Sequence, residues 1–167
     1  MLLIEYYCIE VVDSGEKWGI FMLIGEYHHT IDDKGRIIIP SKFRDDLGEE
    51  FIITRGLEEC LFIYPKTKWD EIVSKLNSIP FTKKDARSFS RFFLSGASAI
   101  SFDKQGRVNI PTVLTSYAGL QKDCVIIGVG DRLEVWSLEE WNNFYSANKE
   151  DFSNIAENLF DSNWVGE

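Results

Sequence analysis

One nine-residue pattern occurs twice in this chain and limits what the chain can fold into. Asp32-Asp33-Lys34-Gly35-Arg36-Ile37-Ile38-Ile39-Pro40 returns as Asp103-Lys104-Gln105-Gly106-Arg107-Val108-Asn109-Ile110-Pro111, Gly35 to Gly106 being a shift of 71. Both copies read D-x-x-G-R-apolar-x-I-P. Beyond the proline the second copy carries one extra residue, so Leu61, Ile63, Tyr64 and Trp69 correspond to Leu133, Val135, Trp136 and Trp141 at a shift of 72. One supersecondary unit is used twice. Length alone suggests one domain or two small ones, and the repeat favours two halves sharing one core.

The local chemistry of the repeat is that of a tight turn between strands. An aspartate at the first corner accepts from backbone N–H groups two residues on, and a glycine three residues later takes the left-handed conformation of a type I turn with a G1 bulge. Hairpins are therefore expected at 30–39 and 101–110, with Asp32, Gly35, Asp103 and Gly106 as the turn residues. Arg36 and Arg107 leave these turns at the base of a rigid ribbon. Pro40 and Pro111 stop the strands, and Ser41 and Thr112 are placed to cap short helices running to Gly48 and Gly119.

The formal charge of −9 argues at first against a nucleic-acid partner, but it is unevenly spread. Residues 1–21 hold four acids and one base, residues 137–167 seven acids and one base, and residues 22–136 sixteen of each. A neutral centre can carry basic faces, and local clustering is what meets phosphate. Cys8, Cys60 and Cys124 form no C-x-x-C pair and are odd in number, which points to a reducing compartment rather than a disulfide framework or zinc site. No run approaches the roughly 20 apolar residues of a membrane span.

Taken in order, residues 1–21 lie outside the repeat plan, and Met22 is a candidate natural start because it leads straight into the first strand. His28 and His29 are neighbours on that strand and point to opposite faces, which does not favour a shared metal. A hairpin is expected around Gly56-Leu57-Glu58-Glu59. Thr67 is placed to cap a helix with Trp69, Ile72, Val73 and Leu76 inward. The first repeat spans 22–76 and a linking segment 77–97. Thr82 and Asp85 resemble a capping box for a helix with Ala86, Phe89, Phe92 and Phe93 inward. Lys83, Arg87 and Arg91, with Lys84 beside them, give that helix a basic face suited to phosphate or to a subunit interface. The second repeat spans 98–145, with Ser137 and Glu140 as another capping box. Residues 146–167 read as an acidic, frayed helix or mobile tail.

Three chemistries fit the repeated site. As a DNA reader, a two-stranded ribbon enters a major groove, Arg36 and Arg107 each offer two donors to guanine O6 and N7, and Lys34, Lys42, Arg44 and Lys104 meet phosphates. As an enzyme, Asp32 and Asp103 would form a carboxylate dyad, but each has an arginine four residues on that keeps it ionised, and no nucleophile, phosphate-loop or zinc motif accompanies them. As a structural device, each Asp would pair with its Arg to fix the turn, for under about 1 kcal/mol if exposed. That is a thin reason to hold two arginines in matching places.

The signature, the short helix ending in glycine, and two copies joined by Lys83-Lys84-Asp85-Ala86-Arg87 through Phe93-Leu94-Ser95-Gly96-Ala97 resemble the MraZ family, built from two AbrB-type swapped-hairpin repeats, over about residues 22–145. The resemblance implies a mainly β fold with helices, an internally duplicated, pseudo-twofold, double-split β-barrel. It implies a transcriptional regulator binding repeated boxes of double-stranded DNA in the promoter of its own division and cell-wall gene cluster. Such a protein would sit on the nucleoid in the cytoplasm as a ring-like homo-oligomer, with no cofactor, no metal, no small-molecule substrate and no catalytic residues. A protein-interaction scaffold without DNA readout is the alternative.

Overall fold

The computed structural model describes residues 22–160. Expectations for residues 1–21, including the start at Met22 and the surroundings of Cys8, lie outside the described residues, as does the end of the acidic tail.

The first repeat runs β1 (Leu23–Thr30), β2 (Arg36–Ile38), α1 (Ser41–Leu47), β3 (Glu50–Arg55), β4 (Cys60–Pro65) and α2 (Lys66–Ser78), and α3 (Lys84–Ser95) lies in the linking segment. The second follows with β5 (Ser98–Ser101), β6 (Arg107–Asn109), α4 (Thr112–Tyr117), β7 (Asp123–Gly130), β8 (Leu133–Ser137), α5 (Leu138–Asn148) and α6 (Phe152–Leu159). Six strands form one antiparallel sheet in the order β1-β7-β8-β4-β3-β5, and β2 pairs with β6 as a separate ribbon.

That order departs from two self-contained hairpins. The turns form as expected, with Gly35 N–H donating to Asp32 O at 3.0 Å and Gly106 N–H to Asp103 O at 3.0 Å. The strands leaving them do not run back along their own partners. β1 pairs along its whole length with β7 of the other repeat, β5 pairs with β3, and β2 meets β6. Within the first repeat one bridge, Ile31 to Ile37, remains of the expected hairpin. Exchange wins because a three-residue strand has few ladder bonds to offer locally, whereas crossing to the other repeat lets Ile37 and Val108 bury in a common core.

Strict alternation along the sheet strands makes two cores. Phe51, Ile53, Leu61, Ile63, Cys124, Ile126, Leu133 and Val135 face the ribbon, α1 and α4, joined by Ile37, Phe43, Val108 and Leu114. Ile52, Phe62, Tyr64, Val125, Ile127 and Trp136 face the other way onto Trp69 and Phe93, with Trp141 and Phe144 packed alongside. α3 is also tied by its last carbonyls, which would otherwise be orphans at a helix end. Thr54 Oγ1 donates to Phe93 O at 2.6 Å and Arg55 Nη1 to Phe92 O at 2.7 Å.

The helix starts differ from the caps read in the sequence. Pro40, Pro65 and Pro111 occupy the N-cap positions of α1, α2 and α4, so Ser41, Thr67 and Thr112 fall inside the helices and accept no capping bond. Lys83, not Thr82, precedes α3. Ser137 does cap α5, accepting from Glu140 N–H at 3.1 Å. Part of the expected frayed tail is the helix α6, whose Phe152 packs near Phe144 and Tyr145.

Candidate nucleic-acid interface

The site is built from the two repeated turns outward. Asp32 Oδ1 accepts from Lys34 N–H and Arg36 N–H, each at 2.9 Å, while Oδ2 accepts from Arg36 Nε at 2.6 Å. Asp103 does the same, from Gln105 N–H at 2.8 Å, Arg107 N–H at 2.9 Å and Arg107 Nε at 2.7 Å. The carboxylate therefore sets the turn and the aim of the guanidinium together. The Arg36 backbone N–H first, and then its side chain, hold the Asp32 carboxyl below the usual range. The matching bonds from Arg107 bring Asp103 down to about 2. A carboxyl so held is acceptor-only at neutral pH, which suits a turn fixture and not a proton-sharing dyad.

Nε of each arginine is taken by its aspartate, which leaves the terminal nitrogens as its remaining donors. Among the described residues they meet no hydrogen-bond partner. The side chains of Arg36 and Arg107 are 33% and 27% exposed, so neither guanidinium is sealed beneath neighbouring chain.

The exchanged ribbon decides how the two arginines stand to each other. Arg36 lies opposite Asn109, Ile37 opposite Val108, and Ile38 opposite Arg107. Ile37 and Val108 fill the inner face of the ribbon, so Arg36, Ile38, Arg107 and Asn109 share the outer one. Arg36 and Arg107 are diagonal neighbours there, with backbones roughly 7–8 Å apart. Two signatures distant in sequence become one face carrying two forks, with Ile38 and Asn109 between them. Period-two alternation puts those two residues beside the arginines in the sequence, but only the exchange shows that all four share one surface.

The other candidate basic residues stand in different surroundings. Lys34 and Lys104 are exposed on the turn tips flanking that face. Lys42 Nζ sits 4.7 Å from the Tyr27 ring centroid and 5.0 Å from that of Phe43, a cation held on aromatic faces. Arg44 donates from Nε to Ile39 O at 2.9 Å and lays its guanidinium over Gly106, where an added Cβ would collide with it. Gly106 has φ 74° and Gly35 φ 77°, so both turns also need glycine for the left-handed backbone.

Arg44 has Thr115 as its counterpart in the second repeat, and the shorter side chain leaves a cleft beside the first turn. It has a volume of about 930 Å³ and is lined by Lys34, Gly35, Thr112, Thr115, Gln121 and Lys122 among others. Lys122 carries no sequence signal, since it lies outside both copies of the signature.

Lys83, Lys84, Arg87 and Arg91 are exposed along α3 and its approach, on the opposite side of the sheet from the ribbon. Arg87 Nη1 donates to Phe81 O at 2.7 Å. The structure thus brings Arg36, Arg107, Lys34 and Lys104 to one end and sets the α3 group apart from them. His28 Nε2 lies 2.8 Å from Glu26 Oε1 on the same strand face, while His29 points the other way with its pKa lowered by burial and by His28. Among the described residues no helix is long and apolar enough to cross a membrane, and no cluster of three His, Cys, Asp or Glu residues could hold a metal.

A comparison with protein families matches one family twice, over residues 22–92 and again over 93–163; it is described as "MraZ protein, putative antitoxin-like".

Proposed function

This chain belongs to the MraZ family, matched over both of its repeats, and from that premise we propose that it is a sequence-specific, double-stranded-DNA-binding transcriptional regulator. Its target is the promoter of its own division and cell-wall gene cluster, and it works on the nucleoid, in the cytoplasm, as a ring-like homo-oligomer.

The observation that supports this best is the β2–β6 ribbon. It carries Arg36 and Arg107 on one outer face, each braced at Nε by an aspartate and, among the described residues, with no hydrogen-bond partner on its terminal nitrogens. A two-stranded ribbon fits a major groove, and a braced fork that donates to guanine O6 and N7 loses little freedom on binding. Asn109 beside Arg36 suits an adenine edge, and Ile38 beside Arg107 suits a thymine methyl. Lys34 and Lys104 would meet phosphates on either side, as would Lys42 and Arg44 by a small shift from their present contacts. The exchange of strands between repeats supports the finer fold assignment as well, a swapped-hairpin, double-split barrel with sheet and ribbon as its walls.

Several heads on repeated boxes gain effective concentration, so modest contacts per subunit suffice despite the chain's net negative charge. Binding then falls steeply with salt. The test is a gel shift on the DNA upstream of the protein's own gene. Arg36→Glu with Arg107→Glu abolishes the shift while leaving oligomer size unchanged. An undiminished shift from that double variant refutes the reading and favours an interaction scaffold, to which the exposed apolar side chains Phe81 and Leu159 would then belong.

A further inference from the structure

We propose that α6 of one chain docks into the groove between α2 and α3 of a second copy, so that chains associate head to tail. This rests on the self-association in the reading above and supplies its interface; DNA contact plays no part in it.

The groove is an apolar channel of about 620 Å³ with Leu76, Ile79, Ala86 and Phe89 on its floor and Lys83 and Lys84 at its edge. Among the described residues nothing covers it. Phe81, on the loop joining the two helices, is 81% exposed, and Ile79 and Phe89 are also exposed. Phe89 stacks on Phe93 at 5.3 Å, so the floor is a continuation of the packed core and not a loose side chain.

The complementary surface lies at the other end of the same chain. α6 places Phe152, Ile155 and Leu159 at i, i+3 and i+7, on one face. Phe152 anchors the first turn against Phe144 and Tyr145, at ring separations of 6.5 and 6.1 Å. The rest of the face is offered outward, with Leu159 69% exposed.

Charge selects which groove this helix fits. Residues 150–167 contain five acids and no lysine or arginine, whereas residues 83–91 contain Lys83, Lys84, Arg87 and Arg91 against the single acid Asp85. An apolar stripe flanked by acids meets an apolar floor edged by bases, the usual terms on which a helix enters a groove. α6 is held by α5, which packs over β7 and β8, while the groove's helices lie against β3 and β4. Two different patches in mutual contact make a heterologous interface, which closes into a ring or runs on as a filament.

Light-scattering mass measurement during gel filtration of the full chain tests this with Leu159→Asp and Phe89→Glu. Each variant alone falls to a monomer. Mixed in equal amounts they form a heterodimer and nothing larger, because the mixture retains one intact groove and one intact helix per pair. Lys83→Glu with Lys84→Glu, at exposed positions, serves as a second groove variant that leaves the aromatic stack intact, and it shifts the assembly toward monomer. An oligomer whose mass neither Leu159→Asp nor Phe89→Glu changes overturns the interface while self-association stands. Two monomeric variants that stay monomeric on mixing overturn it also. A monomeric wild-type chain overturns both the interface and the self-association, leaving the DNA reading to its own test.

Discussion

If the strands are exchanged, Ile37 and Val108 are direct cross-strand partners despite lying 71 positions apart in the chain. Both side chains are fully buried on the inner face of the ribbon, and facing residues of this kind have Cβ atoms roughly 4.5–5.5 Å apart. Ile37→Val removes one methylene and costs about 0.5–1.5 kcal/mol. Val108→Ala removes two carbons, at about 0.8 kcal/mol each before any cavity cost. Together these stay within the roughly 5–15 kcal/mol that holds a domain of this kind folded, so the double variant remains measurable. Side chains that share a cavity wall do not act independently, and a coupling of about 0.5 kcal/mol or more is expected between them. The assay is urea unfolding of wild type, both single variants and the double variant, with slopes compared to establish that the transition stays two-state. Had each signature folded back on its own first strand, the two sites would lie in separate hairpins and their costs would add to within about 0.3 kcal/mol. Additivity at that level refutes the exchange, and with it the common face for Arg36 and Arg107.

Arg36→Ala should weaken binding to the cognate promoter by about 1–3 kcal/mol, and a scrambled duplex much less, whereas Lys34→Ala should weaken both alike and lower the salt slope by about one; fluorescence anisotropy over a salt series separates them. The exposed Asp32–Arg36 pair contributes under about 1 kcal/mol to folding, so a variant losing both affinity and melting temperature heavily contradicts the assigned role. Asp103 is held at about 2 against an ordinary 3.8, so its stabilising contribution is complete above about pH 4 and is lost as pH falls towards 2. The melting-temperature gap between wild type and Asp103→Asn should therefore narrow across that window, and a constant gap refutes it. Phe93 is buried where α3 meets the sheet, between Tyr64, Trp69 and Phe89, and Phe93→Ala should cost about 3–5 kcal/mol in denaturant unfolding.

Much of this was legible in the residues, for reasons that are local. The turn at Asp32–Gly35 needs an acceptor at its first corner and a left-handed residue at its last, and only a few residue types supply these, so the duplicate at Asp103–Gly106 carried the same message. The β3–β4 hairpin and the apolar side of α2 follow from alternation and helical period. The partners of β1, β2, β5 and β6 are not legible in the residues themselves, and only the swapped-hairpin resemblance implies their exchange. A strand as short as Arg36–Ile38 carries no mark of its partner, and local return and exchange satisfy the same turn chemistry equally well. The helix starts differ from the sequence pattern for a related reason: a proline at the N-cap has no side-chain acceptor, so the capping signal in the sequence falls on the next hydroxyl residue. Of the two readings of the acidic end, frayed helix or mobile tail, α6 matches the helix over Phe152–Leu159, and its stripe of Phe152, Ile155 and Leu159 is too sparse to show before the helix exists.

Exchange also changes what the duplication means. In two separate hairpins, substitutions between the copies would simply make one reader stronger than the other. On a shared ribbon they give one face two unlike ends. Asn109 replaces the isoleucine of the first copy and stands opposite Arg36, while Ile38 stands opposite Arg107. At the turns the same asymmetry recurs, since Arg44 covers Gly106 whereas Thr115 leaves the cleft beside Gly35 open. If the ribbon reads DNA as proposed, a face that is twofold in backbone and unlike in side chains at both levels is matched by a duplex site of two dissimilar halves. A perfectly palindromic site would set identical base edges against Asn109 at one end and Ile38 at the other, and one of the two would be left without its complement.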